Sequence, residues 1–159
     1  MKILFPTIGS AGDVHPVVGI GAALKRRGHR VTVVTSPVFE SLVASEGLEL
    51  LPLGTREDYE TNVNDPALWH PRKGFEVVAR MGILPALREI YEVVLRHDPA
   101  DTIVAASALC MGARLAQEKL GYRVATVHVQ PALLRSLYVT PVYPGMRLPR
   151  GMPRFLKRQ

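Results

Sequence analysis

The stretch that decides the fold is KILFPTIGSAGDVHPVVGIGAALKRRGHRVTVVTS, residues 2–36. Its first segment, KILFPTI (2–8), is a short apolar run of the kind that forms a buried strand. A turn, GSAGDVHP (9–16), follows, and Pro16 stands where a first helical residue tolerates the loss of its N–H. VVGIGAALKRR then presents an apolar face through Val17, Ile20 and Leu24. Lys25, Arg26 and Arg27 complement the negative end of the helix dipole, and Gly28 is the expected C-terminal cap. The helix is therefore expected to begin near Val14 to Pro16. RVTVVTS (30–36) is the β-branched run of a buried parallel strand.

The same rhythm continues. Pro37 closes the second strand, FESLVASEG (39–47) reads as a short helix, and LELLPL (48–53) as a third strand. Residues 54–74, GTREDYETNVNDPALWHPRKG, are polar and break the pattern; they hold the single tryptophan, Trp69. A helical pattern resumes from Phe75 to His97, interrupted by Gly82 and Pro85. An internal proline costs about 3 kcal/mol, so a kink or two helices is expected there. TIVAAS (102–107), LCMGARLAQEKLG (109–121) and YRVATVHVQ (122–130) read as strand, helix and strand, with Gly121 as the helix cap. Alternation of this kind means βαβ units. The expected fold is α/β, a Rossmann-like doubly wound parallel sheet of about five strands in the order 3-2-1-4-5, occupying residues 1–130.

Composition narrows the function classes. The 159 residues are 47% hydrophobic and 21% charged, ordinary for a globular domain. No apolar run approaches the ~20 residues of a membrane span, and MKILFPT lacks the features of a signal peptide. Cys110 is the sole cysteine, which excludes an internal disulfide and suits a reducing, cytoplasmic setting. The net charge of +6 is not spread evenly: residues 1–130 hold 14 basic and 14 acidic side chains. The excess comes from Arg135, Arg147, Arg150, Arg154, Lys157 and Arg158 in a proline-rich tail, 131–159, that contains no acid. A diffuse basic tail without a recognition motif argues against nucleic acid as a partner.

The turn at 9–16 is the candidate ligand loop, because ligands collect at the carboxyl ends of the strands in such sheets. Gly9 and Gly12 would let backbone amides approach an anion at the helix N-terminus, and Ser10 could donate to a phosphate. A dinucleotide-binding turn would read G-x-G-x-x-G with an acid closing the second strand. This turn reads G-S-A-G-D-V and the strand ends Val34-Thr35-Ser36, so NAD(P) is not expected.

PTIGSAGDVHPVVGIGAALKRRGHRVTVVTSP resembles the N-terminal segment of GT-B-fold glycosyltransferases, in the branch of sterol, lipid and natural-product enzymes grouped as family 28. The shared order is strand, G-S-x-G-D-V-x-P, amphipathic helix, R-G-H-x-V-T, strand. His128-Val129-Gln130-Pro131 is similar to the end of the family's fifth strand, so the resemblance covers about 130 residues. It is weakest over 54–100. It implies the acceptor-binding half of an inverting enzyme that moves a hexosyl unit from a nucleotide sugar such as a UDP-sugar to a lipid-like or natural-product hydroxyl. It also implies that the donor is held mainly by a C-terminal domain or subunit whose His-x-Gly motif is absent before Gln159. No other cofactor and no metal is implied, and the 159-residue chain alone is expected to be inactive. The competing classes are a non-catalytic module for a small molecule or partner, and an unrelated nucleotide-binding domain.

On that resemblance Asp13 is the expected base, three places before the proline; on its own it would more simply cap the helix. His15 is the alternative base, its imidazole suited to neutral pH. Trp69, Phe75, Met81 and Met111 are candidate contacts for a hydrophobic acceptor, with core packing the simpler reading for Phe75 and Met111. Gln130, at the end of the fifth strand, is a further candidate for contact with an acceptor. His29 is read as structural, His128 as a core histidine and Cys110 as a buried small hydrophobe. The fifth strand would lie at a sheet edge without proline or lysine to protect it, so self-association is expected.

Overall fold

Each strand predicted from the apolar runs forms, and all five pair in parallel. In the computed structural model, which describes residues 1–71 and 73–130, the strands are β1 (Lys2–Pro6), β2 (Arg30–Thr35), β3 (Glu49–Pro52), β4 (Thr102–Ser107) and β5 (Arg123–Val127). Their order in the sheet is β3-β2-β1-β4-β5. Helices cover both faces. Ile3 and Phe5 of β1 and Val31 and Val33 of β2 pack with α1 (Ala11–Arg26) and α2 (Glu40–Ser45) through Val14, Val17 and Val43. Leu4 and Val34, pointing the other way, pack with α5 (Leu84–Leu95) and α6 (Met111–Leu120) through Ile90, Val94 and Ala113. Burying each such aliphatic side chain contributes about 1.5–3 kcal/mol. Among the described residues no helix is long and apolar enough to cross a membrane.

The register between β1 and β4 runs only from Lys2↔Thr102 to Leu4↔Val104, whereas β1 stays paired with β2 as far as Pro6↔Val34. Pro6 has no N–H to extend the ladder. The sheet therefore stops being continuous where the chain order reverses, which is where such folds open a crevice.

Three local expectations are corrected. First, α1 begins at Ala11, not near Pro16, because Ser10 is the N-cap and Asp13 the third helical residue. Pro16 lies inside the helix, and the carbonyl it leaves without an i+4 donor belongs to exposed Gly12. Second, the irregular-looking 54–74 contains α3 (Arg56–Asn64) and a 3-10 turn at Pro66–Trp69. Thr55 and Asp58 start α3 with a capping box: the Asp58 N–H donates to Thr55 Oγ1 at 3.1 Å, and the Thr55 N–H donates to Asp58 Oδ2 at 3.0 Å. Third, β5 ends at Val127, so His128 and Gln130 lie past the strand. The expectation for the tail falls outside the described residues.

Pro85 does mark a change of helix. α4 (Gly74–Val77) runs into a π-helical stretch, Val78–Ile83, and α5 begins at Leu84 with Pro85 in its first turn. The residue-85 amide that would serve the Met81 carbonyl does not exist. Asn62 of α3 supplies the donor instead, Nδ2 to O at 3.1 Å, and so ties α3 to the widened helix.

α6 crosses α5 at Gly112, where a Cβ would collide with the Leu87 carbonyl and lie 2.7 Å from the Tyr91 nitrogen. Gly112→Ala is expected to cost about 1–3 kcal/mol as overpacking, read by urea denaturation. An unchanged midpoint would show that the two helices are not in this close contact.

Candidate functional site

The site begins with a backbone conformation. Gly9 sits at φ 135°, a region that side chains rarely tolerate. That turn brings the Ser10 N–H to Asp13 Oδ2 at 2.9 Å, and the Ser10 hydroxyl donates to the same oxygen at 3.4 Å. A Cβ on Gly9 would occupy the space of the Asp13 carboxylate. Gly12 differs: a Cβ there would meet only Ser10 Oγ, at an ordinary 3.7 Å. One glycine is demanded by the chain's own geometry and the other is not. Among the described residues Asp13 Oδ1 has no hydrogen-bond partner.

Beside this turn lies a cavity of about 520 Å³ at the carboxyl ends of β1, β2 and β3. Thr7, Ile8 and Gly9 continue β1 into its wall, Thr35 and Ser36 come from β2, and Leu53 and Gly54 follow β3. α3 contributes Tyr59 and Asn62; Met81, Pro85 and Glu89 close the far side. The volume is in the range that holds a drug-sized molecule. Tyr59 is held edge-on against Phe39, ring centres 5.4 Å apart at 84°. Burial, and secondarily the Asp13 carboxylate, raise its hydroxyl above the ordinary phenol value, so Asp13 is electrostatically felt in the cavity wall. Thr7 is fully buried, and its hydroxyl oxygen has no hydrogen-bond partner among the described residues.

Residues 3–139 match the model of the glycosyltransferase family 28 N-terminal domain. The chain belongs to that family. A sterol 3-beta-glucosyltransferase of Arabidopsis thaliana is 43% identical over 54 residues, 34% of this chain and 8% of the relative. The O-mycaminosyltylonolide 6-deoxyallosyltransferase of Streptomyces fradiae is 33% identical over 98 residues, 59% of this chain and 20% of the relative. In fold, the chain is similar to the calicheamicin glycosyltransferase CalG4, with a TM-score of 0.60 at 24% identity, covering 80% of this chain and 32% of that one. The chain thus spans a fifth or less of these two curated relatives and about a third of the solved enzyme. It is an N-terminal glycosyltransferase domain of GT-B type.

Within this glycosyltransferase domain the expected site residues separate into two groups. Gly9 and Met81 line the cavity, with Ser10, Gly12 and Asp13 on the turn that leaves it. His15 is exposed on α1 and does not line the cavity. Trp69 and Phe75 are 79% and 72% exposed, and Met111 is exposed too; none lines the cavity, and for Phe75 and Met111 the core reading is corrected. Trp69 ends the 3-10 turn and Phe75 is the second residue of α4, both exposed. Gln130 is exposed and outside the lining, and His128 is exposed rather than core, because the strand has ended before both.

Cys110 is buried against the Ser107 hydroxyl at 3.1 Å, and burial pushes its thiol up to about 11. That is the inert small hydrophobe expected from its position. Thr7, Tyr59, Asn62 and Glu89 went unnoticed in the sequence. For the two on α3 a signal existed, the Thr55-x-x-Asp58 capping pattern that announces the helix.

The two glycines of the turn should respond in opposite ways. Gly9→Ala is expected to lower stability by about 1–3 kcal/mol through strain and the displaced carboxylate, while Gly12→Ala, in the helix, is neutral or stabilising. Thermal denaturation of both variants checks this; equal effects would contradict the assigned turn.

Proposed function

We propose that this domain binds the acceptor in an inverting glycosyltransferase, and that Asp13 is the general base. The observation that carries the reading is the Asp13 carboxylate, pinned through one oxygen by the Ser10 N–H beside an acceptor-sized cavity, with its other oxygen unpaired among the described residues. In the reaction, an acceptor hydroxyl oxygen attacks the anomeric carbon of a nucleotide-activated hexose. The new C–O bond forms as the bond to the nucleotide diphosphate breaks, the diphosphate leaves with its electron pair, and Asp13 takes the hydroxyl proton. A carboxylate is a weak base at rest, but the hydroxyl becomes acidic as its oxygen bonds to carbon. The acceptor class proposed is a lipid-like or natural-product alcohol, in keeping with the apolar contribution of Ile8, Leu53, Met81 and Ala86 to the cavity.

The donor is assigned to a second domain or subunit, since solved relatives are about three times as long as the part this chain covers. What the turn offers the donor diphosphate is limited by its own bonding. The Ser10 N–H is already used by Asp13, so a phosphate oxygen would meet the remaining first-turn amides, Ala11 and Gly12, which a helix leaves unpaired.

In an enzyme that joins this domain to its donor domain, Asp13→Asn is expected to lower kcat by ~10²–10⁴ with little change in Tm. Asn keeps an oxygen for the Ser10 N–H, so the base and the cap are separated. The purified 159-residue chain is expected to turn over no sugar nucleotide, because both substrates must be positioned in one cleft. Full activity of the Asn variant, with loss on His15→Ala, would move the base to His15.

A further inference from the structure

The cavity is one-sided in charge. Glu57, Asp58 and Glu89 line it, Asp13 stands beside it, and no Lys, Arg or His is among its described lining residues. Two of these acids flank a single residue: the Gly54 N–H donates to Glu89 Oε1 at 3.4 Å, and a Cβ on Gly54 would lie 3.6 Å from Asp58 Oδ2. The Thr55 hydroxyl, and then the Thr55 N–H, hold the Asp58 carboxyl below the usual carboxylate range. Glu57 has no hydrogen-bond or ion-pair partner among the described residues. The acids do not form a metal cluster: among the described residues no group of three or more His, Cys, Asp or Glu could hold a metal ion.

Uncompensated carboxylates spread around a cavity suit an organic cation larger than a metal ion. A second observation points independently to a ligand in the same place. Thr7 Oγ1, fully buried in the cavity wall, has no partner within the described chain, and an orphan hydroxyl of this kind is normally satisfied by a bound molecule or water. Ile8, Leu53 and Met81 add apolar surface to the same cavity.

We propose that the acceptor for this cavity carries a protonated amine, which the α3 and α5 carboxylates recognise while its apolar body lies on Ile8, Leu53 and Met81. The proposal rests on the acceptor-cleft reading above and narrows it to cationic hydrophobic alcohols. An anionic acceptor would face like charge, with no counterion among the described lining residues.

The test uses hexylammonium, hexanol and hexanoate as probes of equal length but different charge, with binding to the 159-residue chain followed by ligand-observed saturation-transfer NMR. Hexylammonium is expected to bind tightest and hexanoate not at all, and added salt should weaken the first selectively. Glu57→Gln and Glu89→Gln should each weaken hexylammonium about fivefold, the scale of a solvent-accessible ion pair, and leave hexanol unchanged. Glu118→Gln on α6, outside the cavity, should change neither. Equal binding of hexanol and hexylammonium, indifferent to Glu57 and Glu89, would overturn the cationic preference and leave the acceptor cleft standing. Binding of none of the three would overturn both.

Discussion

The hydrogen bond from the Ser10 N–H to the Asp13 carboxylate is the constraint on which the rest of the site depends. It exists because Gly9 takes a backbone conformation closed to other residues and leaves the volume that the carboxylate fills. Capping of this kind contributes on the order of 1 kcal/mol to the helix. Its larger consequence is positional. The same bond that starts α1 fixes a carboxylate at the carboxyl end of β1, beside the cavity, so the residue proposed as the base also caps the helix.

The remainder of the cavity is built by accommodating prolines. Pro6 lies just beyond the end of the β1–β4 ladder, at the switch point of the sheet. Pro85 cannot serve the Met81 carbonyl, and Asn62 does so across the gap from α3. The π-helical widening before Pro85 turns Met81 and Gly82 into cavity wall. Thr55 and Asp58 cap α3 in the manner of Ser10 and Asp13 on α1. Two capped helices and a proline-altered third thus converge on one space.

The sheet was legible in the sequence because buried parallel strands write themselves as β-branched runs, and RVTVVT and TIVAAS are hard to read otherwise. The start of α1 was not, since Pro16 suggests a first position while the weaker Ser10–Asp13 signal decides it. α3 was hidden by its polarity: none of its residues is buried, so no apolar face announced it. That omission concealed the α3 side chains that line the cavity, among them Glu57, Asp58, Tyr59 and Asn62. Trp69 and Phe75 misled in the opposite sense, as large apolar groups that the chain leaves in solvent. Asp13 was singled out by its place in an ordered motif more than by its chemistry, and the structure places it on the turn beside the cavity.

The most direct measurement is the amide proton shift of Ser10 through an acid titration of the chain, followed beside the side-chain carboxyl carbon of Asp13. If the carboxylate accepts that N–H, the Ser10 amide moves in step with protonation of Asp13, and the movement disappears in Asp13→Asn. A Ser10 amide that is indifferent to the titration of Asp13 would contradict the assigned turn, and with it the placement of the proposed base beside the cavity.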